Sequence, residues 1–384
     1  MKKNKMLMVA TVPSMIGQFN MSNIKLLEQL GYVIEVACNW NDRSVWTEER
    51  IKTFEEELKK RKINLEQINF TRNPLNIKCH IQSYKQLKKI VKEGNYDFVH
   101  CHTPIAAAIT RIVLRKFKDV KVIYTAHGFH FYKGAAVLNW LLYYPVEKIL
   151  SRYTDILITI NKEDYQRAKE NFACERVEYI PGVGLDLEKF TTVVDETIII
   201  NEDFSYIEDK FVILSVGELN ENKNHQVIIR ALKELNNPNV VYVIAGQGAR
   251  REELEQLCKE LNVDKQVFFL GFCRNVQELY RRADIFAFPS IREGLGLASL
   301  EAMSFGIPLL TSNVHGINDY SISGKSGFSY NSKDVKGFAE GIIRLYEDVP
   351  LREQMGEFNK EQVKKFDIKI VEDKMKSIYE SIKE

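Results

Sequence analysis

Several features of extracellular, membrane-spanning and disordered chains are missing from this 384-residue sequence. No apolar run approaches the roughly 20 residues that a membrane helix needs. Met1–Lys5 leads straight into an apolar strand pattern, without the hydrophobic core of a signal peptide. Low-complexity tracts are absent, and 45% hydrophobic with 28% charged residues exclude a disordered chain. The six cysteines (Cys38, Cys79, Cys101, Cys174, Cys258 and Cys273) show no close pairing, which fits reduced thiols of a cytoplasmic protein. No Gly-x-Gly-x-x-Gly follows the first strand, which disfavours a dehydrogenase. A paired-Asp metal loop is also lacking.

What is present suffices for two domains of ordinary size. The net charge of +2 conceals an asymmetry, since residues 1–190 carry 30 Lys+Arg against 21 Asp+Glu and the remainder 24 against 31. A basic half joined to an acidic half suggests that the first meets an anionic surface.

The most informative stretch is Ala283–Thr311. Asp284–Pro289 reads as a buried parallel strand, Ser290–Gly294 as a loop and Gly296–Phe305 as a helix of good helix formers. Gly306 and Pro308 end that helix before the next strand. Gly294 and Gly296 let backbone approach a ligand, and the N–H groups near Leu297 and Ala298 make an anion site at the helix start. Glu293 and Glu301 then flank that site, because helical side chains lean toward the N-terminus. An anion between two carboxylates suits the phosphates of a nucleotide sugar. Two solvated glutamates would give the same spacing.

The first half alternates strand and helix patterns. Lys5–Val12 is a strand, Pro13–Phe19 a loop containing Ser14 and Gly17, Met21–Leu30 a helix and Tyr32–Cys38 the second strand. This opens a doubly wound α/β domain, whose ligands sit outside the strand C-termini. Asp97–His100 begins a later strand that runs into His102; a metal on His100 and His102 has no third ligand in view. After the strand Val120–Thr125 comes the loop AHGFHFYKG, where His127 and His130 can donate hydrogen bonds or titrate near neutrality. Ala136–Tyr153 follows, a helix with aromatics at Trp140, Tyr143 and Tyr144, in which Pro145 should cause a kink or break. Most of its residues read as core, and the exposed remainder as lipid contact.

In the second half, Thr191–Lys210 is an acidic linker without helical period. Phe211–Val216 is a strand, and the loop GELNENKN places Lys223 just before the helix His225–Leu235, a plausible phosphate site. Val240–Ala245 and Val267–Leu270 are further strands, the latter followed by a loop with Phe272. Amphipathic helices fill the chain from Val335 to Lys383.

EGLGLASLEAMSFGIPLL resembles the Glu, seven residues, Glu motif of family-four retaining glycosyltransferases, which have the GT-B fold. With AHGFHFYKG and VGELNENKNH, the similarity extends over nearly the whole chain, toward bacterial capsule and exopolysaccharide enzymes. It implies two doubly wound, Rossmann-like domains facing across a cleft: residues 1–190 on the acceptor side and 205–366 for the donor, with a final helix, 367–384, packed back on the first. It also implies Glu293 beside the donor sugar, Glu301 on the ribose, Phe272 near the base and His127 beside the transferred sugar. Ser14, Gly17, His102 and His130 fall on the acceptor side, although the family's usual glycine pair is reduced to Gly17 here. Where the family pairs an Arg with a Lys on the diphosphate, this chain has Glu218 and Lys223. Glu218 is then expected to orient Lys223 or touch a sugar hydroxyl.

The expected activity is retaining transfer of a hexose or N-acetylhexosamine from a UDP-sugar to a polyprenyl-diphosphate-linked saccharide. Neither metal nor cofactor is expected, because Lys223 and the helix terminus can hold the leaving charge. The expected partners are the UDP-sugar donor, the lipid-linked acceptor and an anionic membrane surface, with no nucleic acid. The expected location is the cytoplasmic face of the cell membrane, reached by peripheral docking of the first domain. A nucleotide-sugar epimerase and a non-catalytic sugar-nucleotide-binding subunit are the alternatives.

Overall fold

A computed structural model describes residues 4–191, 207–273 and 275–382. Most of the expected linker, and Arg274, lie outside them. The chain forms two units, Met1–Val183 with Lys369–Glu384, and Gly184–Ile368.

In the first unit the elements run β1 (Lys5–Val9), α1 (Pro13–Phe19), α2 (Met21–Gln29), β2 (Val33–Cys38), α3 (Glu48–Lys60), β3 (Asn64–Gln67) and α4 (Ile77–Gly94). They continue through β4 (Phe98–His102), α5 (Pro104–Leu114), β5 (Lys121–Ala126), α6 (Val137–Leu150), β6 (Ile156–Thr159), α7 (Lys162–Asn171) and β7 (Arg176–Tyr179). The strands form one parallel sheet in the order β3-β2-β1-β4-β5-β6-β7. Its strands are buried on both faces, so Met6–Val9 of β1 read as a continuous apolar run rather than an alternation. The strand order reverses between β1 and β4, and such switch points are where doubly wound sheets bind ligands.

The second unit holds α8 (Leu187–Thr191), β8 (Phe211–Val216), α9 (Gln226–Leu235), β9 (Val240–Ala245), α10 (Arg251–Leu261), β10 (Val267–Gly271) and α11 (Val276–Arg282). After them come β11 (Ile285–Phe288), α12 (Leu297–Ser304), β12 (Leu309–Ser312), β13 (Gly327–Tyr330), α13 (Val335–Glu347) and α14 (Val349–Val363). Its six strands are also all parallel, ordered β10-β9-β8-β11-β12-β13, with the switch between β8 and β11. The last helix, α15 (Ile368–Glu380), belongs to the first unit from Lys369 onward. There Tyr379 is fully buried, stacked on Phe98 with ring centroids 5.8 Å apart.

Three local expectations change. Residues 13–19 form a helix instead of a loop, because Pro13 takes the first helical position, where its missing N–H costs nothing. Pro145 sits inside an uninterrupted α6, on its solvent side, where the carbonyl it leaves unpaired stays near water. α6, expected to be mostly core, has only Glu147 and Leu150 buried, because one side of it packs on the unit and the other faces outward; Glu147 pairs there with Arg111, 1% exposed, at 2.8 Å.

Candidate active site

Three loops at the C-terminal edge of the second sheet converge: those after β8, β11 and β12. Asn222 ties the first two together. Its backbone carbonyl accepts from Ile291 N at 2.8 Å, its side-chain oxygen from Arg292 N at 3.1 Å, and its amide donates to Arg292 O at 2.9 Å. Asn224 takes a left-handed conformation (φ 55°), which asparagine tolerates. Its buried amide donates to Pro289 O and Ser332 O. The third loop arrives as Gly316, whose N–H donates to Glu293 O at 3.1 Å. A Cβ there would stand 1.8 Å from Gly294 O, so only glycine permits the approach.

This clamp aims Lys223 at Glu293. The ammonium lies 2.7 Å from Glu293 Oε2 and 4.4 Å from the centre of the Phe288 ring. Gly296 lies on the same ring: with φ 97° it turns the chain into α12, and a Cβ would sit 2.6 Å from Phe288. The N–H groups of Leu297 and Ala298 then stand at the open end of α12. Glu301, one turn on, accepts from Tyr280 Oη at 2.8 Å, and burial raises its carboxyl above the usual range. Sequence reasoning assigned Lys223 and Glu293 to separate parts of a ligand; here each is the other's partner. Glu218 is exposed and accepts from Asn220, which in turn caps Lys223 N at 2.9 Å, so its link to Lys223 runs through Asn220. Phe272 is 66% exposed after β10, and Gly294 lies between the paired glutamate and α12.

The first unit carries a histidine cluster at the ends of β4 and β5. His100 shares hydrogen bonds with Tyr379 Oη (2.9 Å) and Thr125 Oγ1 (2.8 Å), and its ring centre lies 4.2 Å from that of His102. His102 Nδ1 meets His127 Nε2 at 3.2 Å. Burial pushes His100 down to about 3, the half-buried His127 to about 4, and His102 well below its ordinary value. These imidazoles are neutral near pH 7 and serve as hydrogen-bonding groups. Asp164 holds the loop by accepting from Phe129 N at 2.8 Å, and His130 is stacked on Tyr143, 4.5 Å between centres.

At the β1/β4 switch, Thr103 shares a hydrogen bond with Thr11 at 2.7 Å. Its φ of 66° is uncommon for a β-branched residue and marks a constrained turn. Ser14 is buried in the first turn of α1. Gly17 faces inward on that helix, where a Cβ would stand 2.3 Å from the Trp46 ring, so packing accounts for this glycine. The residues missed in the sequence are Asn222, Asn224, Tyr280, Thr103 and Tyr379. The asparagine-rich loop was the one available signal.

The family model described as Glycosyl transferases group 1 matches residues 199–362, and that described as Glycosyl transferase 4-like matches residues 19–161. The chain is similar to EpsD of Bacillus subtilis (strain 168), which is named as a glycosyltransferase: 35% identity over 98% of this chain and 96% of that one. It is also similar to the UDP-Gal:alpha-D-GlcNAc-diphosphoundecaprenol alpha-1,3-galactosyltransferase of Escherichia coli, at 29% identity over 78% of this chain and 79% of that one. Among solved structures, Anabaena HepE in complex with UDP superposes with a TM-score of 0.74 at 18% identity, covering 98% of this chain and 100% of that one. That likeness gives the fold, GT-B.

Proposed function

The chain belongs to the group 1 glycosyl transferases, and on that premise we propose that it moves a hexose or N-acetylhexosamine from a UDP-sugar to a polyprenyl-diphosphate-linked saccharide, with retention at the anomeric carbon. The observation that carries this reading is the Lys223–Glu293 pair at the mouth of α12, a cation and a carboxylate beside a helix N-terminus. Support for the donor and acceptor classes comes from the Escherichia coli relative, whose name gives UDP-Gal and a diphosphoundecaprenol-linked saccharide.

In this mechanism the diphosphate leaves on the face that the acceptor hydroxyl attacks, and takes that hydroxyl's proton. Lys223 and the N–H groups of Leu297 and Ala298 stabilise the charge that develops on the leaving group, and no metal is needed. Glu293 binds the sugar hydroxyls, Glu301 the ribose and Phe272 the base. His127, neutral, donates a hydrogen bond to a sugar hydroxyl. The enzyme works in cell-surface polysaccharide synthesis, on the cytoplasmic face of the membrane whose lipid carries the acceptor.

Incubation with UDP-hexoses and UDP-N-acetylhexosamines, with and without a polyprenyl-diphosphate saccharide, tests the reading. Expected are acceptor-dependent UDP release, an α-linked product from an α-linked donor, and full activity in excess EDTA. Donor isomerisation without acceptor would mean an epimerase. An inverted product, or activity restored only by magnesium or manganese, would overturn the corresponding part.

A further inference from the structure

The inner face of α6 is what its sequence suggests. Trp140 and Tyr144 pack on Phe131, and Glu147 meets Arg111. Its outer face is unusual. Val137, Leu138, Leu141, Leu142, Val146 and Ile149 are 72%, 62%, 67%, 56%, 47% and 55% exposed. At about 100° per residue they fill, with Pro145, one contiguous half of the helix. The sole charge in that half is Lys148, at its edge, and Arg152 follows just beyond; no exposed acidic residue interrupts it.

A second apolar group lies in the same helical layer. α4 packs on α5 and α5 on α6. Leu75 before α4, with Ile77 and Ile81 in its first turns, is 83% exposed, and those two are 64% and 52%. Lys78, Lys85, Lys88 and Lys92 continue that side of α4 and are exposed. Because every strand of this sheet is parallel, these helices begin at the sheet's C-terminal edge, where the His102 and His127 loops also lie.

We propose that this layer is a bilayer-inserting surface: the outer half of α6 and the start of α4 enter the acyl boundary of a lipid membrane, and the flanking lysines meet its phosphates. The proposal rests on the acceptor being lipid-linked. It deepens that reading by making the attachment chiefly apolar and by turning the histidine edge of the sheet toward the membrane, so that a lipid-borne diphosphate reaches it without leaving the bilayer. Charge favours lipid as the occupant, since Lys148 on α6 and Lys78, Lys85, Lys88 and Lys92 on the same side of α4 as its apolar start match an anionic interface.

Sedimentation of the full chain with vesicles of phosphatidylcholine, alone or with phosphatidylglycerol, tests this. Wild type should bind both, the anionic vesicles more tightly, and should stay bound in about 1 M salt, where the Debye length is about 3 Å. Joint replacement Leu138→Asn, Leu141→Asn and Leu142→Asn should lower binding about tenfold or more. The far-ultraviolet spectrum and transfer to a water-soluble acceptor should stay unchanged, since all three side chains project outward. Complete release of wild type by salt would overturn the proposal, as would a triple variant that binds like wild type. A salt-stable dimer that the triple variant dissociates, with neither form binding vesicles, would assign the face to a second copy. Salt-resistant, leucine-dependent binding by a protein that transfers no sugar would overturn the functional reading and leave this surface standing.

Discussion

Glu293 and Glu301 sit eight residues apart in the chain, yet their partners give them different work. Glu293 holds Lys223, the cation proposed above to meet the donor's diphosphate, whereas Glu301 takes its hydrogen bond from Tyr280. Glu293→Gln should therefore cripple turnover while UDP affinity is kept or slightly improved, because Lys223 loses a competing carboxylate. Glu301→Ala should weaken UDP binding by about 1–3 kcal/mol, the range for a hydrogen bond to a charged group. Calorimetric titration separates them, and equal loss of UDP affinity in both variants would reject the division of roles. The buried histidines supply a second expectation. His100 and His225 are lowered by burial to about 3 and about 4, and burial also holds His102 well below its ordinary value. Above about pH 6.5 both folded and unfolded chains keep them neutral, and stability is complete. As pH falls below that value the unfolded chain takes up protons that the folded chain refuses, so stability is lost, by up to about 1.4 kcal/mol per pH unit and group. Urea midpoints should drop steeply between about pH 6.5 and 4, and His225→Gln should flatten the slope. A midpoint independent of pH across that window would show that these imidazoles are already free to ionise.

The convergence of three loops makes the second unit's site an assembly of elements, and Gly316 is its tightest joint. Gly316→Ala would drive a methyl into Gly294 O and push Glu293 away from Lys223. A displacement on the order of 1 Å at a reacting group costs about 10²-fold in rate, so turnover should fall by that order while the far-ultraviolet spectrum stays native. Unchanged turnover would mean that the loop after β12 does not position Glu293. The β11–α12–β12 unit was legible in the sequence because its signals are local: an apolar run, a block of helix formers, and Gly306 with Pro308 at the end. Two prolines were read by type and not by position. Pro13 begins a helix instead of preventing one, and Pro145 sits on a face where the lost hydrogen bond meets water. Pairings across the chain left no local trace. Tyr280 reaches Glu301 over 21 residues, and Tyr379 reaches His100 over 279. Gly17 shows the converse, a residue legible as a glycine whose reason, the Trp46 ring, lay in another element.

For the whole molecule, the first unit is discontinuous: its sheet comes from residues 5–179, and α15 completes it from the far end of the chain. Tyr379 is buried there, stacked on Phe98 and hydrogen-bonded to His100. During synthesis this unit therefore stays unfinished until the last helix has emerged, even though all seven of its strands precede the second unit. Truncating Tyr379 to alanine should cost the first unit about 3–5 kcal/mol, the range for a large buried aromatic, whereas Tyr379→Phe should cost about 1 kcal/mol for the hydrogen bond alone. The sequence provides a selective reporter, because all three tryptophans, Trp40, Trp46 and Trp140, lie in the first unit. In urea, Tyr379→Ala should move the midpoint seen by tryptophan fluorescence to lower denaturant, while part of the circular-dichroism change keeps its wild-type midpoint. Ending the chain at Ile368 should move the fluorescence transition further in the same direction. If the fluorescence midpoint stays fixed in both variants, α15 contributes nothing to the first unit's stability, and the burial of Tyr379 is incidental to it.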